Sequence, residues 1–279
     1  HKRSEYLSNS GDSLGNYLDH NSGGWQEILP NGGGECSYKG ACLGMHGEIS
    51  SVPWDCRIIK DSEEEVVLKA CITTLRSPFR LEKEISLKMD ESAITIRESL
   101  TNLAKEPMEL MWGHHPTVGK PFLDSSCRID TNGTVGFSMD QRDFETQRLK
   151  PGTRFEWPAA GNGMDFSNVP GEDADTADMI YITGFPERAW YRVHNETKNI
   201  SYGMSWDGKL FPYMWMWQVC GGSYGYPWYG RTYNLALEPW TSYPSSGLIK
   251  AIENGSALCL EAGEVRQTEL CFWIKKEEI

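Results

Sequence analysis

Three histidines and one glutamate carry the residue types that acid/base chemistry needs. The chain has only six histidines. His46 stands in Met45-His-Gly-Glu-Ile-Ser-Ser-Val-Pro-Trp54, where Gly47 lets the backbone turn closely. His114 and His115 stand in Met111-Trp-Gly-His-His-Pro-Thr-Val-Gly-Lys-Pro-Phe122, with Pro116 fixing the exit and Gly113 and Gly119 relaxing it. Imidazole titrates close to neutral pH, so a loop histidine on a rigid strand suits proton transfer. Glu238 closes Thr232-Tyr-Asn-Leu-Ala-Leu-Glu-Pro-Trp-Thr-Ser242, where Tyr233, Leu235 and Leu237 alternate with Asn234, Ala236 and Glu238. That is the period of a β-strand, and Pro239 is expected to stop it and leave the carboxylate at a rim. Two readings stay open here. Either each histidine is satisfied within the fold and Glu238 faces solvent, as glutamates mostly do, or the set forms an acid/base pocket.

A zinc shell built from His46, one histidine of the pair and Glu238 is the competing chemistry. His-Glu-x-x-His is absent, however, and adjacent histidines on a strand point to opposite faces, so no metal is expected. Gly-x-Ser-x-Gly is also absent, and no cysteine has a setting that marks it as a nucleophile.

The chain of 279 residues carries 39 acidic and 27 basic side chains, for a formal net charge of −12. Such a balance disfavours nucleic acid and anionic lipid as partners. No run of apolar residues is long enough for a membrane-spanning helix. The polar start, His1–Gly15, has no initiator Met and no strand pattern, which points to residues missing ahead of it. The eight cysteines lack Cys-x-x-Cys spacing and are expected to be buried and reduced, as in a cytoplasmic protein. Asn-x-Ser/Thr sequons begin at Asn132, Asn195, Asn199 and Asn254, and matter only in a secreted protein. Eleven Trp and twelve Tyr accompany 28 Gly. Aromatic residues in glycine-rich loops suit sugars, which pair an apolar face with many hydroxyls, and they suit the core of a large β-sandwich equally well.

Helical periodicity is poor throughout, and short alternating runs dominate. Cys56–Lys60, Glu65–Thr74, Phe79–Met89 and Ser92–Thr101 read as successive antiparallel strands, with turns at Ser77-Pro78 and Met89-Asp90-Glu91. In the last of these, Ile94, Ile96 and Glu98 share one face. Met108–Trp112 leads into the paired histidines. Later strands are expected at Arg128–Asp130, Met179–Gly184, Ala189–His194, Ile200–Trp206, Tyr213–Val219, Thr232–Glu238, Ala257–Leu260 and Gln267–Ile274. Between Arg142 and Asp178 the pattern lapses into Pro, Gly and acidic residues, and a long surface excursion is expected. With no repeat and no linker, the expectation is one all-β domain over residues 1–279, a large, mostly antiparallel β-sandwich.

An ordered set of short motifs then resembles the aldose 1-epimerase (galactose mutarotase-like) superfamily. The set is Gly24-Trp-Gln-Glu-Ile-Leu-Pro-Asn31, His46-Gly with Pro53-Trp54, His115-Pro within Trp112–Leu123, and Leu237-Glu-Pro239. The resemblance implies a many-stranded sandwich with a concave sugar-binding face. It implies Glu238 as the base that takes the proton from the C1 hydroxyl and His115 as the acid that protonates the ring oxygen. His46 is then the supporting pocket histidine. A pocket drawn from His114, Trp25, Gln26, Trp54, Asp178, Trp217, Gln218 and Trp240 is expected with it, while Arg80, like Arg76 and Arg231, reads either as a ligand for an anionic sugar or as an exposed strand arginine. The chain departs from galactose-type members, since Trp25-Gln26 replaces their Asn-Arg pair and His114-His115-Pro116-Thr117-Val118 replaces Asn-His-x-Tyr-Phe. Galactose as substrate is thereby put in doubt. The expected function is cofactor-independent interconversion of sugar anomers, with a monosaccharide or sugar derivative as partner and a monomer or homodimer as the working form. A non-catalytic carbohydrate-binding module, or a lyase or hydrolase on the same fold, is the alternative.

Overall fold

The computed structural model describes residues 17–19, 23–50 and 52–277, so the run His1–Gly15 lies outside the described residues. Contacts divide the chain into two compact units. The first comprises His1–Glu91, Thr95–His115 and Trp240–Glu269, and the second Ser92–Ile94, Pro116–Pro239 and Leu270–Ile279.

The first unit opens with β1 (Trp25–Ile28) and the hairpin of β2 (Cys36–Tyr38) with β3 (Ala41–Leu43). It continues through β4 (Asp55–Asp61), β5 (Glu65–Thr73), β6 (Phe79–Lys88), β7 (Ala93–Asn102), β8 (Met108–Leu110) and the start of β9 (Gly113–Gly119). β4 to β7 form a meander in sheet order β7-β6-β5-β4, with a bulge between Ile58 and Lys60. Alternation drives it: Phe79 and Leu81 are fully buried while Arg80 between them is exposed. β1 lies beside β9.

The second unit holds β10 (Cys127–Thr131), β11 (Val135–Phe137), β12 (Arg154–Glu156), β13 (Ala159–Gly161), β14 (Met164–Asp165), β15 (Thr176–Thr183), β16 (Arg188–Asn195), β17 (Ile200–Asp207), β18 (Tyr213–Cys220) and β19 (Tyr233–Trp240). The chain closes with α1 (Leu248–Glu253), β20 (Leu258–Leu260), which pairs with β8, and β21 (Val265–Lys276). Within the second unit the sheet orders are β9-β19-β18-β15-β11-β12 and β10-β16-β17-β21. β15 is buried from Ala177 through Ile182, as a central strand covered on both faces must be. Among the described residues no helix is long and apolar enough to cross a membrane.

The all-β, mostly antiparallel sandwich architecture holds, and four local expectations need correcting. Pro239 does not end its strand: β19 runs on to Trp240, and Thr241 N–H donates to Trp112 O at 2.9 Å. His114 and His115 lie inside β9 rather than in a loop, so their side chains alternate. The 142–178 excursion contains β12 to β14, and Asp178 stands within β15. All eight cysteines are free, but only Cys127 and Cys220 are buried, while Cys42, Cys56 and Cys259 are exposed. Cys42 and Cys259 take the exposed position of short strands, and Cys56 lies on β4, which is exposed along its whole length.

Candidate functional site

His46 is placed by a backbone clamp. Asn31, fully buried just after β1, donates from Nδ2 to Gly34 O and Gly44 O, both at 2.8 Å. Its Oδ1 accepts the N–H of Leu248, the first residue of α1, at 2.7 Å. That ties down the glycine run, in which Gly33 has φ 75° and an added Cβ would fall 1.7 Å from Ser245 O. Gly33 N–H donates to His46 Nδ1 at 3.1 Å, and His46 N–H donates back to Gly33 O at 3.0 Å. With Nδ1 accepting, the neutral ring carries its proton on Nε2. His46 itself has φ 55°, and its ring meets His115 edge-on at 5.5 Å and Tyr17 at 4.7 Å.

Burial, with the His115 ring second, pushes His46 well below the ordinary imidazole range. Burial, opposed by a backbone hydrogen bond at His115, takes that ring down to about 4. Both rings are therefore neutral at pH 7. Gly33→Ala is expected to cost more than ~1 kcal/mol, because a Cβ at positive φ meets backbone. Chemical denaturation reads the loss, and histidine ¹⁵N NMR should show Nδ1 of His46 losing its hydrogen bond. An unchanged spectrum would rule the clamp out.

His114 belongs to a different network. Its side chain is 1% exposed and its Nε2 sits 3.1 Å from Oε2 of the fully buried Glu98. Burial pushes the imidazole down, but Glu98 opposes it and carries the ring above its ordinary value. Burial raises Glu98 in turn, and the nearby Glu27 adds to the rise. Glu27 accepts from Lys83 Nζ at 2.7 Å and from Trp112 Nε1 at 2.8 Å. Burial pushes Glu27 up, yet Lys83, His114 and the Trp112 hydrogen bond together outweigh it and hold the carboxyl below its usual range. Glu27, Glu98 and His114 offer ligand atoms within 4.8 Å of one another. Lys83 already supplies the cation there, so the donor set does not call for a metal.

The second unit contains its own polar centre. Asp178, fully buried, accepts from Arg148 N–H at 2.9 Å and from Arg148 Nε at 2.6 Å. A second guanidinium N–H of Arg148 reaches Gln218 Oε1 at 2.7 Å, and the guanidinium lies 4.7 Å over Phe166. Gln218 Nε2 and Asn234 Oδ1 are buried with no hydrogen-bond partner. Glu238 is 1% exposed, which excludes the solvent-facing reading, and its charge adds to burial in pushing the Tyr191 phenol upward.

The structure therefore gathers the expected residues into separate groups. His46 and His115 share one ring contact in the first unit, while Asp178 and Gln218 share Arg148 in the second. Trp25 packs its ring 5.9 Å from His114, and Lys83 lies 4.2 Å over Trp54. Gln26 Oε1 accepts from Tyr17 OH. Trp217 meets Trp228 at 5.5 Å. Trp240 is fully buried where Gly113 and Gly32 leave room for it, since a Cβ on either would strike its ring at 2.2 and 2.6 Å. Arg80 stands apart, exposed and paired with Glu82 at 3.2 Å. Sequence reasoning missed Glu27, Lys83 and Arg148. Glu98 was signalled, because it alternates in phase with Ile94 and Ile96.

Comparison with solved structures fixes the fold class. A Klebsiella pneumoniae protein provisionally named an aldose 1-epimerase superposes with a TM-score of 0.68 at 14% identity, over 91% of this chain and 63% of that one. A galactose mutarotase related enzyme from Lactobacillus acidophilus gives 0.63 at 15% identity, over 91% and 84%. An Escherichia coli protein, again provisionally named an aldose 1-epimerase, gives 0.62 at 15%, over 91% and 84%. This chain thus spans less than two thirds of the Klebsiella protein, and at these identities the likeness shows the galactose mutarotase-like fold alone. No curated protein matches the sequence. One family model does, across residues 29–274, and by that match the chain belongs to the family described as a domain of unknown function, DUF4432.

Proposed function

We propose that the chain is a cofactor-independent carbohydrate epimerase that interconverts the anomers of a free aldose or an aldose derivative. The observation that carries this reading is the imidazole pair of His46 and His115, with one tautomer set by the Gly33 clamp, on a fold shared with proteins named for that reaction. Opening a cyclic hemiacetal removes a proton from O1, breaks the C1–O5 bond and delivers a proton to O5. Rotation about C1–C2 and reclosure, with the proton transfers reversed, gives the other anomer. Glu238 is proposed as the base at O1, His115 as the donor to O5 and His46 as its support. Asp178 and Gln218 are proposed to contribute through Arg148, whose guanidinium they hold between them. Arg80, exposed and paired with Glu82, is not retained as a sugar ligand. A soluble cytoplasmic enzyme fits the free thiols.

Anomeric exchange followed by NMR over a panel of neutral, phosphorylated and uronic aldoses tests the proposal. At least one sugar should exchange faster than in buffer. If none does, the epimerase reading fails. Calorimetric binding that survives without turnover would instead mark a non-catalytic module.

A further inference from the structure

A second feature of the molecule is unrelated to those residues and lies wholly within the second unit. A cleft of about 800 Å³ opens between the β10–β16 pair and the chain around β11 and β12. Its walls include Trp157 and Trp190, together with Asp130, Arg192, Glu156 and Thr134. Trp190 is 38% exposed, far more than the fully buried Trp112, Trp215 and Trp240. Its backbone is pinned on both sides: N–H donates to Asn132 Oδ1 at 2.9 Å, and O accepts from Thr131 Oγ1 at 2.7 Å. Trp157 N–H donates to Thr134 O at 3.0 Å. Asp130 faces Arg192 directly across the strand pair, bonded through Nε at 3.0 Å. Asn132, a sequon residue, spends its amide on this frame, donating to Arg188 O at 2.8 Å.

We propose that this cleft binds a neutral oligosaccharide. Two indoles, each with only two side-chain torsions to order, offer apolar platforms for pyranose faces, and the carboxylates and guanidinium that line the same cleft suit hydroxyls. The volume falls inside the ~300–1,000 Å³ range of small-molecule pockets. Two carboxylates against one guanidinium, on a chain of net charge −12, disfavour an anionic glycan. Binding here does not depend on the epimerase reading, because none of His46, His115 and Glu238 lines the cleft.

The test uses the whole chain labelled with 5-fluorotryptophan and titrated with maltotetraose, cellotetraose, xylotetraose and chitotetraose, under ¹⁹F NMR and calorimetry. Trp157→Phe and Trp190→Phe assign the two resonances. At least one tetrasaccharide should shift both signals, and Trp190→Ala should weaken that probe about tenfold, the worth of one stacking contact. Glu156→Ala, on an exposed side chain, gives a second variant that leaves the fold alone and should also weaken it. Glu238→Gln should bind the probe as the wild type does. Shifts at neither indole with all four probes would overturn the proposal. So would a dimer in sedimentation that Trp190→Ala dissociates, since the cleft would then be a contact between copies.

Discussion

His115→Asn and Glu238→Gln are each predicted to slow anomeric exchange by about 10²–10⁴, the usual worth of one positioned acid or base. Sugar affinity should stay within a few-fold, because each substitution keeps a polar group of similar size. Asparagine can offer an N–H but cannot carry the extra proton, and glutamine cannot accept one. The pH profile adds a sharper expectation. Burial takes His115 down to about 4, so above that value its protonated fraction falls tenfold per pH unit. As a general acid it should make turnover climb as pH is lowered from 7 toward 4, until the carboxylate base is itself protonated. If His115 serves only as a neutral hydrogen-bond donor, the profile is flat across that window. Wild-type exchange in both variants would remove Glu238 and His115 from the mechanism.

The strand around Glu238 shows how far the sequence could be read. Its two-residue period was legible, because Leu235 and Leu237 alternate with small and polar residues. Burial of the opposite face was not, since Leu235 through Trp240 are all buried and only neighbouring strands make them so. Pro239 looked like a stop for the same reason: a proline ends a strand where a ladder bond is needed, and that need is a property of the partner. The meander from β4 to β7 was clear because each turn has its own chemistry, Ser77-Pro78 and Met89-Asp90-Glu91. β1 to β3 escaped notice, and length alone is not the reason, since β8 and β20 are as short and were read as strands. The charged cluster was half visible. Glu98 alternated with isoleucines, a carboxylate in core register, and Lys83 lies on the neighbouring strand β6, but Glu27 comes from a distant segment that only the fold brings in. Trp240 was expected to wall a pocket, and it is instead a core residue seated against two glycines.

That buried cluster supports the other large effect. Lys83→Met is predicted to destabilise the protein by about 3–5 kcal/mol, the usual penalty for leaving one charge of a buried pair unpaired. The Glu27 side chain is 4% exposed and that of Lys83 is 18% exposed, so solvent cannot replace the lost ammonium. Glu27→Gln should cost less, since the amide oxygen can still accept from Trp112 Nε1 and no carboxylate is stranded. Combined with Lys83→Met, it should recover much of the loss, because the pair is then replaced as a whole. Urea denaturation of the four proteins at pH 7 measures the coupling. The pH dependence follows from the directions of the shifts. Glu27 is held below its ordinary value, so its contribution is present above the ordinary carboxylate range and disappears as pH falls through the lowered one. Lys83 is held above its ordinary value, so its contribution persists through neutral pH and is lost only in strong base. The stability gap between wild type and Lys83→Met should therefore be level across neutral pH and close in acid. His46 and His115, both buried neutral, add a separate loss as pH drops below the ordinary imidazole range, and that loss should remain in the variant. A Lys83→Met protein within about 1 kcal/mol of wild type at pH 7 would mean that Glu27 is buried uncharged, and the cluster would have to be redrawn around a neutral acid.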